Sequence, residues 1–315
     1  MKKIVTLICL IVAFCCCSAV ALAEDKIVVG ISTPTADHTW TGGVVWWSEQ
    51  AVKEFEKKYP NIEFIYKTSA SDKDQAADVE TMLAKKIQAL VILPHKPAPL
   101  TTVLNKVNNT GAFIVVLDRS IPKVPKNVYL AGDNYGFGFK CGEYLASALR
   151  GQGNILVMEG MPCEGNTLRI KGFKAALRDH PGVVIMDSQP AYWNPAVGYE
   201  LMRGYLREFQ RIDAIWCGDD DVLEGARKAY DESGRDDIKF FLGGGGSKRI
   251  IKHIIDGDPL LPATVTYPPK MAYEAIQLAV ERLVDGKSFP KEITIASELV
   301  TKENAKDFYY PDSVY

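Results

Sequence analysis

The sequence predicts an α/β protein made of two doubly wound parallel-sheet lobes. Short β-branched runs alternate with longer amphipathic segments between residues 27 and 256, the pattern of parallel sheets covered by helices. Nearly all the short runs are too apolar for a sheet with one exposed face. Eight strand–helix units fall into two groups of four, separated by a Pro- and Lys-rich stretch at 122–132. A mature length of about 290 residues also exceeds what one core usually serves.

The first element is a leader. Lys2 and Lys3 precede an apolar run over 4–20, and Ala21-Leu22-Ala23 then meets Glu24-Asp25-Lys26. That order of basic, apolar and small residues is a secretory signal, so residues 1–23 are read as a signal peptide cleaved after Ala23. A retained span needs about 17–25 apolar residues with no cleavage site at its end. Cys15, Cys16 and Cys17 raise a lipoprotein variant, against which Phe14 stands, because lipid attachment usually wants small residues before the cysteine.

Strands are expected at 27–31, 62–66, 89–93, 113–117, 154–158, 183–187, 214–217 and 239–242. Helices are expected at 44–58, 73–86, 100–108, 136–150, 168–179, 195–209, 222–233 and 248–256. Asp72 and Asn134 are candidate N-caps, Gly111 and Gly234 candidate stops. A strand at 263–267, a helix at 271–285 and a strand at 292–297 follow, free to join either sheet. No repeat marks a solenoid.

Cleavage removes Cys9, Cys15, Cys16 and Cys17 and leaves Cys141, Cys163 and Cys217, which admit one disulfide at most and fit no zinc spacing. They are read as small buried hydrophobes. Losing Lys2 and Lys3 moves the formal net charge from −2 to −4, and no basic stripe remains for nucleic acid or lipid headgroups.

Ligands of doubly wound sheets sit at the carboxyl ends of the strands. After the first strand, Asp37, His38, Trp40 and Thr41 share one loop. An indole there is either a wall for a ligand or a plug of helix onto sheet. Asp118-Arg119, after the fourth strand, sets acceptors beside a rigid fork of donors, which suits a vicinal diol; a structural ion pair is the alternative. In the second group Arg169 opens a helix, and Trp193 offers a second indole or simple core packing.

Asp219-Asp220-Asp221 invite a metal, but adjacent Asp side chains diverge where a hard cation needs convergence. Asp219 is assigned to the cleft and Asp220 or Asp221 to capping the next helix. The run 243–246 before Ser247 is like a phosphate cradle, yet lacks the Gly-Lys-Ser/Thr ending and the dinucleotide spacing. No cofactor and no metal is expected. Of the four histidines only His38 lies at a strand end, and no nucleophile or metalloprotease signature occurs. The chain is read as a non-enzyme.

In order and spacing these residues resemble the periplasmic binding proteins for ribose and related sugars, of ABC importers, whose type 1 fold is shared with sugar-responsive repressors. The likeness runs from Lys26 to about Ser297. Ser32-Thr33 followed by His38 and Trp40 is similar to the family's first binding loop, with Thr41 in place of a second aromatic. Leu117-Asp118-Arg119 resembles its Asp-Arg motif for sugar hydroxyls. Arg169 before Gly172-Phe173 resembles its Arg-x-x-Gly-Phe pattern. Trp193 stands at the second lobe's stacking aromatic and Asp219 at a hydroxyl-binding Asn or Asp. Gly245 replaces a carboxylate of the family's Gly-x-Asp-Gly, and Tyr267 stands where a hinge Gln is usual. These departures put ribose itself in doubt.

The resemblance implies a three-crossing hinge near Gly132, Tyr267 and Glu292. It divides the chain into a lobe of 24–132 plus 268–292 and a lobe of 133–267 plus 293–315. It also implies a periplasmic monomer that closes on a monosaccharide or sugar alcohol and meets ABC permease subunits in the inner membrane. The expected ligand contacts are His38, Trp40, Thr41, Asp118, Arg119, Arg169, Trp193, Asp219 and Tyr267. The alternative is a sensor subunit that presents a sugar-like signal to a membrane receptor kinase. A glycosidase built on Asp118 and Asp219 ranks last.

Overall fold

A computed structural model describes residues 26–36, 38–121 and 124–315. The expected signal peptide and its four cysteines, and Asp37, lie outside the described residues. The first half runs β1 (Ile27–Pro34), α1 (Thr39–Lys58), β2 (Ile62–Ser69), α2 (Asp72–Ala84), β3 (Ala89–Ile92), α3 (Pro97–Asn109), β4 (Phe113–Leu117) and β5 (Val128–Gly132). The second runs α4 (Asn134–Ala148), β6 (Gln152–Glu159), α5 (Glu164–Ala176), β7 (Gly182–Pro190), α6 (Pro195–Glu208), β8 (Ala214–Cys217), α7 (Asp220–Ser233), β9 (Phe240–Leu242) and α8 (Lys248–Asp256). After β10 (Ala263–Val265), α9 (Met271–Asp285), β11 (Glu292–Ile295) and β12 (Leu299–Thr301) complete the order.

Two parallel sheets result, β11-β5-β4-β3-β1-β2 and β7-β6-β8-β9, beside an antiparallel β10-β12 ribbon. The α/β class with parallel sheets agrees with the sequence expectation. β3 and β8 are buried along their whole length, as strands sandwiched between helices must be. α9 returns to the larger sheet and lays Ala275, Ile276, Ala279 and Val280 into its core, while Val300 of β12 joins the core of the smaller one.

α4 and α5 approach closely enough to require glycine. A β-carbon on Gly138 would stand 1.8 Å from the Arg169 carbonyl oxygen, and one on Gly172 2.1 Å from that of Tyr135. Beneath this contact Phe173 stacks on Trp216 at 3.8 Å.

Several expectations are corrected. The stretch read as a break at 122–132 ends in β5, whose Val128 and Leu130 face the core; five residues behind a Pro- and Lys-rich run carry too little periodicity to be seen. The caps of α2 and α4 are Ser71 and Asp133, one residue before Asp72 and Asn134. Both expected stops hold: Gly234 ends α7 in the left-handed conformation, and Gly111, left-handed at φ 79°, follows the Thr110 C-cap of α3. β11 pairs with β5 through Ile295, so residues 293–295 go with the larger sheet rather than with the second lobe. Cys141 and Cys217 are buried, but Cys163 is an exposed thiol, and all three are free; Cys163 sits at the start of α5, before the helix buries anything.

Candidate functional site

The carboxyl ends of the two sheets meet around Tyr267, which follows β10 where the chain passes back toward the larger sheet. Its ring is 4% exposed, and its hydroxyl donates to Asp118 Oδ1 at 2.5 Å and accepts from Asn134 Nδ2 at 3.2 Å. Its carbonyl accepts from Trp40 Nε1 at 2.9 Å, and its backbone N–H donates to the Gly245 carbonyl at 2.9 Å. One residue therefore links both sheets and the Gly-rich loop. Burial and the neighbouring Asp118 carboxylate push its phenol well above the ordinary value, so it remains a donor.

Asp118 follows β4 in the left-handed region at φ 57°, a conformation Asp tolerates better than most residues. The turn is fastened by Tyr129, whose hydroxyl donates to the Asp118 carbonyl at 2.6 Å. It brings Arg119 Nε to 4.0 Å from Asp118 Oδ2, while Arg119 Nη1 donates to the carbonyls of Pro94 and His95 at 3.2 and 3.1 Å. These backbone acceptors fix the guanidinium at the end of β3 and leave Nη2 without a partner among the described residues.

Arg169 is 7% exposed. Its Nε donates to Asn134 Oδ1 and its Nη1 to the Gly218 carbonyl, both at 2.8 Å. Its guanidinium carbon lies 4.2 Å from the Phe137 ring centroid and 4.5 Å from that of Tyr267, the geometry in which an aromatic quadrupole holds a cation. Trp193 lies 5.9 Å away. Tyr192 and Trp193 both take left-handed backbone, φ 57° and 55°, a strained conformation for bulky residues that costs of order 1–3 kcal/mol each. Asn194, which caps α6 through two backbone N–H groups, secures this turn.

The Asp triplet divides its work differently from the expectation. Asp219 itself caps α7, its Oδ1 accepting from Val222 N at 2.9 Å, because its backbone is extended just before the helix. Its other oxygen is uncommitted among the described residues. Burial, then the adjacent Asp221 and Asp220 charges, raise its pKa to about 8. Asp220 is a buried brace that accepts from Ser247 N at 2.7 Å and from Thr264 Oγ1 at 3.1 Å. Asp221 accepts from the Thr39 hydroxyl at the start of α1, a bond from one sheet's helices to the other's.

Of the nine expected ligand residues, Trp40, Asp118, Arg119, Arg169, Trp193 and Tyr267 lie along this connected set, with Asp219 directly after the Gly218 carbonyl that Arg169 holds. His38 and Thr41 do different work: they form the capping box of α1, and Thr41 is 1% exposed. His38 still lies beside Trp40, ring centroids 6.4 Å apart. Asn134 and Phe137, on the first turn of α4, were not expected. In sequence Asn134 reads only as a cap, and a lone Phe in a helix carries no signal of what it will stack on.

Residues 29–288 match the family model described as the periplasmic binding protein domain. The ribose import binding protein of Bacillus subtilis (strain 168) is 26% identical over 252 residues, 80% of each chain. The galactofuranose-binding protein of Escherichia coli (strain K12) is 26% identical over 301 residues, 92% of each chain. A solved ABC transporter solute binding protein from Bacillus halodurans C-125, with bound myo-inositol, matches at TM-score 0.78 and 25% identity, covering 92% of this chain and 98% of that one.

Proposed function

The chain belongs to the periplasmic binding protein domain family, and from that premise we propose that it is the solute-binding component of an ABC-type importer, holding a monosaccharide or sugar alcohol between its lobes. The observation that carries this is the convergence on Tyr267 of Asp118 from one sheet and Arg169 from the other. Among the described residues neither arginine's Nη2 donates a hydrogen bond, Asp118 Oδ2 has only the 4.0 Å ion pair with Arg119, and one Asp219 oxygen accepts nothing. Donors and acceptors set side by side are what a hydroxyl, which does both, requires. Trp40 and Trp193 supply apolar faces for the C–H surface of a sugar.

The lobes are 26–132 with 268–295 and 133–267 with 296–315, and the three crossings between them are the hinge. A ligand that touches both lobes does so only in the closed form, and so stabilises closure. The closed form is what permease subunits in the inner membrane would read, with the protein acting as a periplasmic monomer after loss of residues 1–23. The import and solute-binding names of the relatives favour this over presentation to a receptor kinase. A non-catalytic role fits Asp118 and Asp219, each of which spends an oxygen on the scaffold rather than standing free as a glycosidase pair.

Arg119→Ala is expected to weaken binding of the cognate sugar by about 2 kcal/mol, near thirtyfold, as for a charge-assisted bond lost from an enclosed site. Isothermal titration measures it, and unchanged affinity would remove Arg119 from the site.

A further inference from the structure

We propose that Tyr315 is a specificity-determining wall of the cleft, occupying the space that a side chain at position 245 would fill and so selecting compact sugars. The inference rests on the sugar-binding function proposed above.

Tyr315 is carried in by a segment anchored to both lobes. Tyr310 meets Trp47 of α1 edge-on at 5.2 Å. Lys248, at the start of α8, donates to the carbonyls of Pro311, at 3.3 Å, and Ser313. Ser313 is buried, and its hydroxyl accepts from Tyr315 N at 3.1 Å. The last two side chains then point opposite ways: Val314 is 58% exposed and Tyr315 9%.

The phenol reaches from one lobe to the other. Its Cβ is 2.7 Å from where a β-carbon on Gly43 of α1 would stand, and its hydroxyl oxygen is 2.0 Å from where one on Gly245 would stand. Gly245 itself has φ 121°, backbone that a side chain rarely adopts. The all-glycine loop is therefore matched to the tyrosine: the side chain missing at 245 is replaced by a phenol delivered from residue 315. Burial first, and then the charges of Asp220, Asp221 and Asp219, hold its phenol well above the ordinary value against the opposing charge of Arg169, so it stays protonated. It is thus a neutral group beside the Arg169 and Asp219 end of the site, and its hydroxyl has no hydrogen-bond partner among the described residues.

A ring wedged there leaves one hydroxyl for the ligand and no room for a bulky substituent. The test uses three pairs of sugars that differ by a single exocyclic hydroxymethyl group: D-ribose and D-allose, D-xylose and D-glucose, L-arabinose and D-galactose. Affinities for wild type, Tyr315→Phe and Tyr315→Ala are measured by isothermal titration, with a melting curve for each protein.

The wild type is expected to prefer the pentose of its best pair at least about tenfold. Tyr315→Ala should shrink that ratio about tenfold or more, and Tyr315→Phe should keep the ratio while weakening both partners. If Tyr315→Ala does not fold, Tyr315→Leu keeps apolar bulk near Gly43 without the reach to Gly245 and takes its place. A ratio unchanged in the truncated variant overturns the inference, as does a wild-type preference for the hexose. Tighter binding of every sugar alike also overturns it, since a plug that competes with all ligands would do that. Wild type that binds none of the six sugars, or any other monosaccharide or polyol, overturns the function proposed above as well; intact binding with an unshifted ratio overturns the wall alone.

Discussion

Arg169→Ala is expected to abolish sugar binding and to lower folding stability by about 3–5 kcal/mol, measured by chemical denaturation. Among the described residues this guanidinium is the one buried cation. Its removal leaves Asn134 Oδ1 and the Gly218 carbonyl without their donors and opens a cavity between Phe137 and Tyr267. Asp219 and Tyr267 also lose the positive charge that opposes their raised pKa values. Arg169→Lys restores the charge but cannot donate in two fixed directions while lying between two rings, so it should recover part of the stability and little of the binding. A loss under about 1 kcal/mol for the alanine variant would mean that the guanidinium does not organise this junction.

Gly172→Ala is expected to lose about 2–3 kcal/mol, although the same change at an ordinary helical glycine is favourable by up to about 1 kcal/mol. Its β-carbon would press on the Tyr135 carbonyl at 2.1 Å and the Phe139 nitrogen at 2.8 Å. Both are backbone atoms, which cannot rotate aside as a side chain can. α4 and α5 must separate, and Arg169 on α5 is then drawn from Asn134 on α4. Binding should therefore weaken together with stability. Gly204 on α6 is the control, because a β-carbon there meets nothing within 4 Å; Gly204→Ala should be neutral or stabilising. Equal effects at the two positions, read from melting curves, would rule out the close approach as the cause.

The strand ends could be read from the sequence because their chemistry is local. Asp118-Arg119 adjoins a buried run. A doubly wound fold brings such ends together whatever the loops do. The bonds that assign each residue its task are long-range and were not readable in this way. Nothing near Tyr267 in sequence tells that its hydroxyl meets Asp118, 149 positions away. Nothing near Tyr315 announces Gly43 and Gly245.

Short-range geometry misled in a different manner. Which Asp of 219–221 caps α7 depends on which one has extended backbone, and this is decided by where β8 stops. The His38–Thr41 capping box is not legible because its residue types are not the Ser/Thr and Glu/Gln of the usual signature. Their place after the first strand and the family resemblance are what point both residues to the cleft. β5 is not legible because it is five residues long, follows a Pro- and Lys-rich run, and has β11, one of its two neighbours in the sheet, arriving only near the end of the second half.

The proposed function is tested most directly by melting the purified protein with a panel of neutral pentoses, hexoses and polyols, alongside the corresponding sugar acids. A ligand of the closed form at about 100 times its Kd adds about 2.7 kcal/mol, which for lobes of this size raises the melting temperature by about 5–10 °C. At least one neutral sugar or polyol should do so, and Arg119→Ala should remove most of the shift. Stabilisation by the sugar acids with none by their neutral counterparts would mean that Arg119 and Arg169 bind a carboxylate, contradicting the account.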